Sequence, residues 1–285
     1  MSYIDFILNL VALLVWLSWR SRRIDPLLRT SPATLIGTLK RTDARGFSGW
    51  QLCAGLLLLL VVRAWFYWLI GAPVNWTPKL SLGLVSLAFR SDSLVLALLY
   101  SSLSFARFLV VFYFWLVVLV VINRRALEAD AVQKLLRLHI GRISRWPAVI
   151  QILLPLLFVI ALWAAIYPLL VHIALLTPIT SFARLLLQGF LVGLGLFSSL
   201  KYLLPPLLLL HLVCSYVYLG NHPVWEFVSV TAQNLLAPLQ KIPLRFARFD
   251  LTPLAGLVLI LLALQWLPSF LIGKMAQWKL SPWPQ

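Results

Sequence analysis

The sequence predicts an all-α polytopic membrane protein, and three observations predict it. Of its 285 residues, 62% are hydrophobic and only 11% charged, against about 25% charged in a soluble domain. The apolar residues gather into long runs, and about 20 such residues cross a bilayer. The cations gather between those runs, in a chain with 24 Lys and Arg, 8 acids and a net charge of +16. Thirteen tryptophans suit an aromatic belt at each membrane interface.

In chain order, residues 5–19 (DFILNLVALLVWLSW) form the first run, closed by Arg20, Arg22 and Arg23. It has neither a basic start nor a small-residue cleavage site, so it reads as a span and not as a removed signal peptide. Residues 20–49 are basic. Residues 50–70 make a second span that ends in an aromatic cluster, and a weakly charged connector with Pro73, Pro78 and Gly83 leads to a third span over 94–122. Residues 123–146 are basic again. There Leu127, Ala131, Leu135 and Leu138 recur at helical spacing and predict an amphipathic helix lying in the interface. The fourth span is 148–175. Residues 176–201 are apolar but interrupted by Pro178, Arg184, Gly189, Gly193, Gly195 and Lys201, which reads as a partly embedded connector or half-helix. The fifth span is 203–219 and the sixth 254–272.

Seven Lys/Arg fall in 20–49, six in 123–146 and three in 220–250, whereas the connectors on the other side and the tail hold two each. The positive-inside rule then puts the three basic loops in the cytoplasm, and six spans put both termini outside. An internal repeat agrees with that count. At an offset of 200, Leu35 and Leu39 fall on Leu235 and Leu239; at an offset of 100, Gln133, Leu135 and Leu136 fall on Gln233, Leu235 and Leu236. The expected organisation is three helical hairpins (1–71, 72–175 and 176–285), each with an interfacial helix in its basic loop.

The stretch 231–256, TAQNLLAPLQKIPLRFARFDLTPLAG, joins a short amphipathic run to a basic loop punctuated by Pro238 and Pro243, and ends at Asp250-Leu-Thr-Pro253. This resembles the signature of the YggT (YlmG) family of bacterial and plastid membrane proteins, whose repeat carries a basic Pro-Leu-Arg segment followed by Asp-x-[Ser/Thr]-Pro. The resemblance covers roughly 205–272. The first copy has Phe47-Ser48-Gly49-Trp50 in that place and the second Ser144-Arg145-Trp146-Pro147. The resemblance implies a helical fold in the bacterial cytoplasmic (inner) membrane. It also implies a non-enzymatic role as scaffold or assembly factor with other integral membrane proteins as partners.

Asp250, Thr252 and Pro253 form a helix-entry arrangement, since a carboxylate or hydroxyl caps free N–H groups and Pro is tolerated in the first turn. Pairing of Asp250 with Arg245 or Arg248 is the companion expectation, and a binding role for the carboxylate the alternative. Lys241, Arg245 and Arg248, interleaved with Phe246 and Phe249, suit anionic phospholipid headgroups, each cation contributing about 1 kcal/mol near such a surface.

Arg63 and Arg107 stand inside apolar runs, where a charge is costly. They are expected to snorkel or to hold a lipid phosphate, with an anion route, and hence a small-anion channel or transporter, as the alternative. No acid falls inside a predicted span, which leaves a carboxylate relay without its main part. Haem is a consideration because plastid relatives are linked to haem-cytochrome assembly. His172 and His211, however, sit at different depths, and hydrogen-bonded packing is the favoured reading for them as for His139 and His222. Cys53 and Cys214 lack metal-type spacing and read as small buried hydrophobes. With no Gly-rich phosphate loop, HExxH, GxSxG or paired carboxylates, the sequence predicts no enzyme and no cofactor, and nucleic acid is not an expected partner.

Overall fold

In hydrocarbon every backbone N–H and C=O must find its partner within the chain, which favours helices. The computed structural model describes residues 3–24, 48–74, 77–82, 86–89, 93–124, 132, 136, 139–173, 175–176, 178, 181–217, 220, 222–239, 245–246, 249–250 and 252–277. Helices dominate among them: α1 (Tyr3–Ile24), α2 (Gly49–Val74), α3 (Leu94–Ile122), α4 (Ala148–His172), α5 (Phe182–Ser198), α6 (Leu204–Tyr216), α7 (Pro223–Leu236) and α8 (Thr252–Gln277). Two 3₁₀ turns (Gly141–Arg145 and Ser199–Tyr202) and two small two-stranded sheets accompany them, β1 (Lys79–Ser81) with β2 (Ser86–Ala88) and β3 (Arg245–Phe246) with β4 (Phe249–Asp250).

Among the described residues, five stretches are long and apolar enough to cross a membrane: Tyr3–Arg20, Gly49–Gly71, Leu94–Ile122, Ala148–His172 and Phe182–Tyr216. A shorter apolar stretch, Thr252–Trp266, lies in α8. This is the architecture of a multi-pass membrane protein. The fifth expected span, 203–219, corresponds to α6, and the stretch read as a connector or half-helix at 176–201 holds the helix α5, so the two together make one long apolar stretch. The glycines read as interruptions sit inside α5. Its 35-residue stretch, about 52 Å at 1.5 Å per residue, exceeds the ~30 Å hydrocarbon core. A 3₁₀ turn at Ser199–Tyr202 breaks it. Pro205 and Pro206 then sit in the first turn of α6, where their missing N–H groups cost nothing.

The chain divides into two compact units, residues 1–80 with 88–109 and residues 81–87 with 110–285. In the first, α1 and α2 run antiparallel. Asp5 meets Arg63 while Ala12 packs with Leu56, so positions climb on one helix as they descend on the other. The first half of α3 lies against both, through Phe105 in the Ala12–Leu56 cluster and Ser101 donating to the Leu60 carbonyl at 3.0 Å. Entry into α2 is fixed locally. The Ser48 carbonyl accepts from Leu52 N–H, and the Gln51 side chain reaches back to accept Ser48 N–H at 2.6 Å, one arm of a capping box. In the connector, Phe89 is fully buried, and its N–H donates to the Pro78 carbonyl.

In the second unit α4 packs along α5. Gly189 and Gly193, one turn apart on α5, face Ile160 and Leu156, and a Cβ built on Gly193 would fall on the Leu156 side chain. Small residues at this spacing let membrane helices approach closely where no hydrophobic effect drives them together. A second seam joins α6, α7 and α8: Leu207, Leu208, Ala232 and Leu236 form its core, with Leu257 and Ile260 against it. Here Gly256 leaves the room that Leu236 fills. Gly220, at φ +84°, supplies the left-handed residue between α6 and α7, a conformation glycine adopts at no steric cost.

Candidate functional site

Membrane helices associate through packing and through the polar groups they are forced to pair. The densest such pairing in the first unit surrounds Arg63, midway along α2 and only 3% exposed. Its Nη2 lies 2.8 Å from Asp5 Oδ1 and 3.1 Å from Ser104 Oγ, and its Nη1 donates to Asn9 Oδ1 at 2.8 Å. Tyr67 donates its hydroxyl to Asp5 Oδ1 and Tyr100 to Asp5 Oδ2, the latter at 3.1 Å. Asn9 Nδ2 donates to Ser104 Oγ at 3.1 Å. The guanidinium carbon also lies 5.4 and 5.8 Å from the Tyr67 and Tyr100 ring centroids, a distance at which a cation is drawn to an aromatic face. Asp5 and Asn9 are one turn apart on α1, Arg63 and Tyr67 on α2, and Tyr100 and Ser104 on α3. Each helix therefore presents one i, i+4 pair to the cluster.

This arrangement overturns two sequence expectations. Arg63 does not snorkel: its side chain is enclosed by protein and neutralised by a carboxylate. Asp5, which opens the 5–19 run although the spans were read as holding no acid, stands in the first turn of α1, 2% exposed, and is that carboxylate. The antiparallel register of α1 and α2 brings it level with Arg63. Arg107 sits one turn beyond residue 103 on α3 and is half-buried.

The basic loop is described only in part. β3 and β4 pair antiparallel with Arg245 opposite Asp250 and Phe246 opposite Phe249, so this stretch of loop is a hairpin whose register faces one cation position with the acid position. Lys241 and Arg248 lie outside the described residues, as do the side chains of Arg245 and Asp250. Thr252 opens α8, 6% exposed, with Pro253 second in its first turn; Asp250 itself ends β4. Leu127, Ala131, Leu135 and Leu138 of the expected interfacial helix at 123–146 also lie outside the described residues, although Ile140 is buried against Leu116, Val117 and Val120 of α3.

Comparison with protein-family models, with curated proteins and with solved structures found no match.

Several other polar groups among the described residues serve helix ends and helix contacts. His222 caps α7, its Nδ1 accepting Val224 N–H at 3.3 Å. Gln151, 1% exposed, turns back from the first turns of α4 to donate to the carbonyls of Ile143 and Trp146. Asn123, at the end of α3, donates to Thr231 Oγ1 at 2.7 Å and accepts from Asn234 Nδ2 at 3.1 Å, which ties α3 to α7. Among the described residues no group of three or more His, Cys, Asp or Glu is placed to hold a metal ion. Sequence reading missed Asp5, Asn9, Tyr67, Tyr100 and Ser104. The i, i+4 spacing of Asp5 and Asn9 ahead of an apolar run was the signal that could have found the first two.

Proposed function

We propose that the chain is a non-enzymatic scaffold or assembly factor of the bacterial cytoplasmic membrane, which holds anionic phospholipid through its basic loops and associates with other integral membrane proteins. One observation carries this reading over transport: the intramembrane charge of Arg63 is closed by Asp5, Asn9, Ser104, Tyr67 and Tyr100 and spent on joining three helices. A pathway for ions instead needs polar groups that line water and release what they bind. The outward side of α2 carries Leu57, Leu58, Val61, Val62, Trp65 and Phe66, all exposed, an apolar flank suited to lipid or to a neighbouring span. The resemblance of 231–256 to the YggT signature supplies the function class, and Lys241, Arg245 and Arg248 supply headgroup-binding charge.

Two experiments test the reading. Purified from membranes in mild detergent, the full chain should bring down stoichiometric membrane-protein partners, and reconstituted alone it should pass no anions across liposomes. A partner-free protein with saturable anion flux would favour a channel. Neutralising Lys241, Arg245 and Arg248 together should reduce co-purifying phosphatidylglycerol or cardiolipin, and added salt should do the same to the wild type. Unchanged lipid retention in the triple variant would remove the lipid-binding part.

A further inference from the structure

The Asp5 carboxylate sits in a pocket that it does not complete. The pocket is built by α2 and α3, with Asn9 of α1, and three side chains donate to the carboxylate. The Arg63 fork presents two adjacent N–H edges, Tyr67 donates to one carboxylate oxygen, and Tyr100 donates to the other. Donors that reach both oxygens from different directions describe a planar two-oxygen anion, and the guanidinium fork pairs with such an anion best side-on, through two parallel N–H···O bonds. Asp5 reaches the fork at Nη2, and Arg63 Nε is buried with no hydrogen-bond partner. A buried donor left unpaired costs roughly 1–3 kcal/mol. A carboxylate free of the α1 backbone is able to turn and take Nε and Nη2 together.

Two further features fix the ligand class. The cluster holds one cation, so it balances one negative charge, that of a monocarboxylate. Its lid is apolar and close: Phe89, fully buried, lies 5.6 Å ring to ring from Tyr100, which in turn lies 5.9 Å from Tyr67. Rings packed this closely against one another favour a small acid over a bulky one. The turn of α1 that carries Asp5 has Tyr3, Ile4 and Ile7 exposed, and Phe6 beside it meets Phe108 edge-on.

We propose that Arg63, Tyr67 and Tyr100, with Asn9 and Ser104, form a binding site for a small monocarboxylate, and that Asp5 is its resident occupant, exchanged for the ligand when the first turn of α1 moves away. The inference goes beyond the scaffold reading and takes the closure by Asp5 as the resting state of the site, which a scaffold can open to a ligand without passing it across the membrane.

The test uses the full chain in detergent micelles and ¹³C-formate, the anion that matches the group Asp5→Ala removes, with binding read from its NMR linewidth. Saturable binding is expected, displaced by acetate and not by chloride at equal ionic strength. Asp5→Ala should tighten it by at least about tenfold, because a competitor that fills the site most of the time is gone. Asp5→Ala should also lose thermal stability and regain part of it in formate. Tyr100→Phe, which removes one donor and no volume, should weaken formate several-fold, and Arg63→Met should abolish it. If Asp5→Ala does not fold, the wild type against Tyr100→Phe decides. Formate binding absent from every folded variant that keeps Arg63 and Tyr100, or equally strong in Arg63→Met or Tyr100→Phe, overturns the proposal.

Discussion

Arg63 is tolerable in an apolar helix because its charge never meets hydrocarbon. Burying a charge without a partner is expensive, and breaking a buried pair from one side typically costs about 3–5 kcal/mol. Asp5→Ala and Arg63→Met should each lower stability by an amount of that order in denaturant or thermal unfolding, whereas Asp5→Leu with Arg63→Leu should recover most of the loss. Additive losses in the double variant would mean that the two residues act separately. The position of Arg63 as the costly residue was legible in the sequence, and its partner was not. The partner is set by how far α1 slides along α2, which a hydrophobic pattern alone does not encode. The same limit applies to Tyr67 and Tyr100, whose aromatic rings read as interface residues until their hydroxyls are placed on a carboxylate.

At the scale of single elements, composition foretold the helices well and their interruptions poorly. The runs at 5–19, 50–70, 94–122 and 148–175 correspond to α1 through α4, since length and hydropathy suffice to define a span. The run at 203–219 corresponds to α6, but α5 was read as a connector or half-helix because glycine was weighed as a breaker. In lipid it is also a contact residue, and Gly189-xxx-Gly193 is the seam on which α4 rests. Gly193→Leu should therefore separate α4 from α5 and cost about 1–3 kcal/mol, the usual penalty of overpacking, while Gly273→Leu, with open space around its Cβ position, should be near neutral. Equal effects of the two would show that helix propensity, not packing, is being measured. Gly256→Leu should behave like Gly193→Leu, because Leu236 already occupies its space. Helix entries carry a further regularity. Gln51 and Gln151, one hundred positions apart, both turn back onto the chain just before their helices, at the two places where the Asp-x-Thr-Pro pattern is missing.

For the molecule as a whole, the central claim is a multi-pass chain whose basic segments share one side of the membrane. Length and hydropathy support the crossings, and the Lys/Arg distribution supports the sidedness. The hairpin of β3 and β4 in the last basic loop was not legible, because alternation over two-residue strands is too short to register. Site-directed cysteine labelling tests the claim most directly. With Cys53 and Cys214 replaced, single cysteines near positions 35, 133 and 240 should react with a membrane-impermeant maleimide only from the cytoplasmic side of oriented vesicles, and cysteines near 78 and 281 only from the opposite side. Labelling of any of the three basic segments from outside, or of 78 and 281 from within, would contradict the six-crossing arrangement.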